Sequence, residues 1–184
     1  MAALDEQKFA EEYGWALSFF KSNKELYGLL RQAVKGDWNA ETFQAKIRET
    51  GWFRKSAESV RKYQLLRSQD PATLAQRRAQ LISQLRDAAG EMGATMSGST
   101  LSKVAENALM YSWNDSQIRD TLSQYVHATN TVYKGEAADT TQKINQLAYR
   151  NGVRISAETR ESWAQKIAAG DTTIQSVEAA IRNQ

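Results

Sequence analysis

The chain has 184 residues, with 24 basic and 21 acidic side chains, 41% hydrophobic residues, one histidine and no cysteine. This excludes a disulfide scaffold, thiolate metal sites, cysteine nucleophiles and any multi-histidine metal centre. A single proline and ten glycines argue against collagen-like or many-turned β architectures, and no apolar run approaches the roughly 20 residues of a membrane span.

Taken in chain order, apolar residues recur at helical spacing and strict alternation is nearly absent. Phe9, Tyr13, Ala16, Leu17 and Phe20 form a first stripe. Ser22, three residues before Glu25, predicts a capping box on the next helix, which carries Leu26, Leu29, Leu30, Ala33 and Val34 and ends at Gly36. A helix after Asn39 buries Phe43 and Ile47 and stops near Gly51. Another runs from about Ser56 through Val60, Tyr63 and Leu66. Asp70-Pro71 predicts a restart, an N-cap followed by proline at the first helical position. Leu74, Leu81, Ile82, Leu85 and Met92 mark the long helix that follows. Residues 93–98 have the weakest pattern, which suggests an N-terminal unit over 1–92 and a C-terminal unit over 98–184, or one continuous domain. Beyond them, Leu101, Val104, Ala105, Ala108 and Leu109 make one helix. Ile118, Leu122, Val126 and Val132 make the next. Ile144, Leu147 and Ala148 lie on a helix between Gly135 and Gly152. Ser156 caps a helix through Trp163 and Ile167 that ends at Gly170, and a last helix holds Ile174, Val177 and Ile181. The expectation is an all-α fold of about ten helices, a multi-helix bundle or an irregular array of helical hairpins. The acidic opening MAALDEQKFAEEYG does not read as a secretion signal, so a soluble protein is expected, from a reducing compartment or a disulfide-free particle.

One helix–turn–helix unit recurs. It reads LLRQAVKGDWNAETFQAKI from Leu29, VAENALMYSWNDSQIRDTL from Val104 and WAQKIAAGDTTIQSVEAAI from Trp163. In this alignment Phe43, Ile118 and Val177 coincide, as do Ile47, Leu122 and Ile181. The turns align Gly36 with Gly170, Trp38 with Trp113, and the cap residues Asn39, Asn114 and Thr173. Short hairpins cannot hide their apolar faces alone, so they are expected to stack on neighbours. Trp38 and Trp113 are expected to be buried, each indole packing across its turn onto a neighbouring helix, with solvent-facing rings on a partner-binding surface as the alternative.

Candidate chemistry is sparse. His127 has no recognisable nucleophile or orienting partner. Glu11 and Glu12 precede Tyr13-Gly14-Trp15, but no motif fixes a second carboxylate opposite them, as glycoside hydrolysis needs. Phosphate loops, nucleophile elbows and dinucleotide fingerprints are missing. No catalytic residue, cofactor or metal is therefore expected. Charge says more. Residues 46–86 hold ten basic residues against three acidic ones, with Trp52, Phe53 and Tyr63 among them. Such a stretch could contact phosphates and stack bases, or meet an acidic protein. The expected partner-binding set is Trp52, Arg54, Lys55, Arg61, Lys62, Arg67, Arg77 and Arg78. The bland alternative turns the rings to the core and leaves the cations in water.

The segment LAYRNGVRISAETRESWAQKIAAGDTTIQSVEAAIRNQ resembles helical segments of large virion proteins of tailed phages that infect actinobacteria. The resemblance rests on Gly152-Val153, Ile155-Ser156, Trp163, Gly170-Asp171-Thr172 and Ile181. The stretch from Glu12 to Leu74 is similar to a companion segment of the same proteins. The resemblance implies a tail-associated structural component, located in the virion and acting on other virion proteins or on itself, either as one domain of a longer protein or as a short member. It brings no lytic activity with it, because no active-site residue is matched. The expected function is a non-enzymatic assembly module. A nucleic-acid-binding helical protein is the alternative, with a cytoplasmic location if the resemblance fails.

Overall fold

The computed structural model describes residues 2–126 and 133–183. Among these it has twelve helices and no strand, and it is 79% helical, so the all-α expectation holds. The helices are α1 (Ala2–Tyr13), α2 (Leu17–Ser22), α3 (Lys24–Lys35), α4 (Ala40–Glu49), α5 (Gly51–Lys55) and α6 (Glu58–Gln69). They continue as α7 (Pro71–Met92), α8 (Gly98–Tyr111), α9 (Asp115–Ser123), α10 (Gly135–Arg150), α11 (Ala157–Ala169) and α12 (Ile174–Arg182).

Three local readings need correction. The stripe from Phe9 to Phe20 is not one helix, because Gly14 takes a left-handed φ of +81° and divides α1 from α2. Ser22 is not the cap of α3. Asn23 Oδ1 instead accepts the Glu25 and Leu26 amides at 3.0 and 3.2 Å, while the Ser22 hydroxyl donates to the Phe19 carbonyl at 2.7 Å. Released from the capping box, Glu25 reaches another helix start and accepts the amides of Gly51 and Trp52 at 2.7 and 2.9 Å. Those amides open α5, a short helix that apolar periodicity alone does not reveal. The helix expected from Ile118 through Val126 stops at Ser123. Val126 instead forms an isolated antiparallel bridge with Ala94, beside a 3.0 Å bond from the Thr95 amide to the Tyr125 carbonyl. Val132 lies outside the described residues. The Asp70-Pro71 restart is present, with the Thr73 amide donating to Asp70 Oδ1 at 2.9 Å.

The chain forms two compact units, one of Met1–Arg77 with Leu109–Ser112 and one of Arg78–Ala108 with Trp113–Gln184. The change of unit falls at Arg77–Arg78 inside α7, and residues 93–98 lie within the second unit. The reason is a close backbone crossing. A Cβ on Gly93 would overlap the Lys134 carbonyl, and one on Gly135 would overlap the Glu91 carbonyl. Both glycines have positive φ, +81° and +56°. Gly93, at the start of the segment with the weakest pattern, is a tightly packed point.

The first unit is built around Phe20, Phe43, Leu26, Leu30 and Ile47, all fully buried or nearly so. Phe43 makes T-shaped contacts with Phe9 and Tyr13, with ring centroids 5.0 and 4.8 Å away. Such edge-to-face pairs add to the burial of apolar area. In the second unit, Leu85, Leu101, Ala105, Leu122 and Val126 form one cluster. Ile144, Val177 and Ile181 form another, with Trp163 packed against it. Here α11 packs on both α9 and α10, and α10 packs on α12.

All three aligned segments are helix–turn–helix hairpins: α3–α4, α8–α9 and α11–α12. Asn39, Asn114 and Thr173 each cap the following helix by accepting the amide three residues on, from Thr42, Gln117 and Ser176. Ile47, Leu122 and Ile181 are all buried. The turns fall into two kinds. The first two place a left-handed Asp37 (φ +49°) or Ser112 (φ +52°) directly before Trp38 or Trp113. The third places the left-handed residue at Gly170 (φ +88°), which leaves one more residue before the cap. Trp38 and Trp113 are half-buried, each packed against the core cluster of its own unit. They are therefore neither fully buried nor a solvent-facing pair.

Candidate protein-contact site

In the first unit, the fold brings Trp52, Arg61 and Lys62 of the expected partner-binding set to one cleft. α1, α4, α5 and α6 supply Tyr13, Ile47, Arg48, Trp52, Phe53, Arg61 and Lys62 to a depression of about 340 Å³. Trp15, from the turn after α1, lies in the same wall. Its ring meets Tyr13 edge-on at 4.9 Å and Trp52 at 5.8 Å. The floor is aromatic because these rings are the half-buried outer layer of the Phe20–Phe43 core. The rim is cationic because Arg48, Arg61 and Lys62 face a single carboxylate, Glu58.

The rim charges are held to different degrees. Arg61 donates to the Phe53 carbonyl at 2.9 Å and to the Ser56 carbonyl, and its guanidinium stands 4.1 Å from the centre of the Phe53 ring. It thus satisfies the end of α5 while stacking on an aromatic face. Lys62 pairs with Glu58 at 2.7 Å one helical turn away, and this bond holds the Glu58 carboxyl below its usual range. The pair is largely exposed, so it adds little to stability. Burial pushes the Tyr13 hydroxyl up, opposed by the nearby Arg48 charge. Trp52 is fixed at its edge by a 2.8 Å bond from Nε1 to Gln64 Oε1.

The other expected residues scatter. Arg54 and Lys55 are exposed on α5, and Arg67 and Arg77 are exposed on α6 and α7. Arg67 lines a neighbouring groove with Trp52. Arg78 pairs with Glu106 at 3.6 Å inside the second unit. The aromatic rings of the basic stretch turn inward: Tyr63 is only 7% exposed, and Trp52 and Phe53 pack against the core. An interleaved ladder of bare rings and cations is therefore not formed. Sequence reasoning missed Tyr13, Trp15 and Arg48 as members of the cleft. Tyr13 and Trp15 come from α1 and the turn after it, far along the chain, and only the tertiary packing of this unit brings them to Arg48 and Trp52.

His127 lies outside the described residues. Glu11 and Glu12 are exposed, and Glu11 accepts the Gln7 amide at 2.5 Å. Among the described residues, no group of three or more His, Asp or Glu side chains is placed to hold a metal ion, and no helix is long and apolar enough to cross a membrane. No protein family, curated protein or solved structure matches this chain.

Proposed function

We propose that this chain is a non-enzymatic structural module of a tailed-phage particle, associated with the tail and acting through helix-mediated contacts with other virion proteins. The observation that carries this reading is the cleft in the first unit, where half-buried tyrosine, tryptophan and arginine side chains meet. Those residue types concentrate the binding energy of protein interfaces. The resemblance of residues 12–74 and 147–184 to virion proteins supplies the setting. The inward turn of Trp52, Phe53 and Tyr63 favours a protein partner over single-stranded nucleic acid, because base stacking needs a free ring face.

Mass spectrometry of gradient-purified particles tests the proposal. The chain should be recovered at a fixed ratio to the tail proteins. Its absence from particles would remove the reading. A steep fall of nucleic-acid affinity with salt would promote the alternative instead.

A further inference from the structure

Trp52 separates the aromatic cleft from a second groove in the same unit, of about 440 Å³. Phe19 and Trp52 supply its apolar wall, and its polar groups are Asn23, Gln64, Arg67 and the hydroxyls of Ser18, Ser22 and Ser68, of which Ser18 and Ser68 bond each other at 3.1 Å. The hydrogen bonds of these side chains determine what remains free. Asn23 Oδ1 is occupied by the amides of Glu25 and Leu26. A backbone N–H can only donate, so the Asn23 amide must present its oxygen there and keep its NH2 group in reserve. The indole N–H of Trp52 can likewise only donate, and it takes Gln64 Oε1. The NH2 group of Gln64 is thereby left over as well. The Ser22 hydroxyl proton goes to the Phe19 carbonyl. Arg67 is exposed and pairs with no carboxylate among the described residues. The groove thus keeps two amide donors and a guanidinium, and no acidic side chain lines it.

A donor-rich, cation-bearing site with an apolar wall is complementary to an acceptor-only anion attached to an apolar body. The volume exceeds that of one carboxylate and falls within the usual range of ligand clefts, about 300–1,000 Å³. We propose that this groove binds a carboxylate carried by an acidic polypeptide segment. Arg67 takes both carboxylate oxygens, the Asn23 and Gln64 NH2 groups donate to the remaining lone pairs, and a neighbouring apolar side chain of the segment lies on Phe19 and Trp52. The inference holds whether or not the chain works in a phage particle.

The test is an NMR titration of the whole chain with the blocked peptide acetyl-Ala-Glu-Leu-Glu-Ala-amide, following the side-chain NH2 signals of Asn23 and Gln64. Controls are the same peptide with both Glu replaced by Gln, and inorganic phosphate. The acidic peptide should shift both signals saturably, and the neutral peptide should not. Gln64→Glu keeps an acceptor for the Trp52 N–H while replacing the free donor by an anionic oxygen. It should weaken binding at least about tenfold with an unchanged melting temperature, and Arg67→Gln should do the same. Full-strength binding by Gln64→Glu, equal binding of the neutral peptide, no shift at either NH2, or phosphate binding as tightly as the peptide would each overturn the assignment.

Discussion

The backbone N–H of Trp113 donates to the carbonyl of Ala108 at 3.0 Å, across the left-handed Ser112. The same reach closes five more helices: Trp15 to Ala10, Trp38 to Ala33, Ala94 to Ala89, Val153 to Ala148 and Asp171 to Lys166, at 2.8 to 3.0 Å. In every case the donor follows a residue of positive φ, and in all but α11 the donor is apolar and the carbonyl belongs to a buried alanine. This is the Schellman ending, in which the apolar residue after the left-handed position folds back on the last turn of the helix. Alanine leaves room for the returning chain, and in three endings that residue is tryptophan.

Apart from Gly93, these left-handed positions are glycines with no atom near an added Cβ or are non-glycine residues, so backbone strain can be read there by itself. Gly152 has open space around it and a φ of +68°. Gly152→Ala should lower stability by about 1 kcal/mol from the left-handed conformation alone. Ser112→Gly should do the reverse and raise stability by up to about 1 kcal/mol, less the extra entropy of the unfolded chain. Urea unfolding midpoints check both. Gly93→Ala should be much more damaging, about 3 kcal/mol or more, because the Lys134 carbonyl just before α10 occupies the space.

At Gly36, an added Cβ would stand 2.5 Å from Nε1 of Trp38. The indole therefore lies back over the glycine at the end of α3. Trp38→Ala should cost about 2 kcal/mol, less than the roughly 3–5 kcal/mol expected for a fully buried ring. Gly36→Ala should cost about 1 kcal/mol in the parent and close to nothing in the Trp38→Ala background. A double-mutant cycle measured by chemical unfolding reads the coupling. Additive costs would show that the indole does not rest on Gly36.

The Glu25 carboxyl is held below its ordinary value of 4.5 by the amides of Gly51 and then of Trp52. A depressed folded-state value means that the stabilisation is fully present above the ordinary value. It is lost as pH falls from about 4.5 through the folded value. The melting temperature of the chain should thus drop on acidification below that point. Glu25→Gln should show a smaller drop, together with a lower melting temperature at neutral pH. An identical pH dependence in parent and variant would remove Glu25 from that role.

Most helix boundaries were legible because their signals are local. Asp70-Pro71, Asn39, Asn114, Ser156, Thr173 and Gly170 act through backbone groups within a turn of themselves. The errors arose where the deciding partner is distant. Glu25 satisfies a helix start 26 residues away, so α5 leaves little trace in local periodicity. Residues 93–98 read as a boundary between units until Lys134 and Gly135 are brought against Gly93. The site behaved in the same way: the cationic stretch was visible as charge, whereas the cleft needed Tyr13 and Trp15 from another helix and its turn. Inward-facing rings and solvated cations have the same composition as a nucleic-acid surface, and only packing separates the two.

Hydrogen exchange of residues 44–65, compared between the free chain and purified particles containing it, tests most directly the proposal that the Tyr13–Trp52 cleft is a protein-contact surface. Slower exchange in particles, concentrated on α4, α5 and the start of α6, is the predicted result. Unchanged exchange there, with protection confined to other parts of the chain, would contradict it.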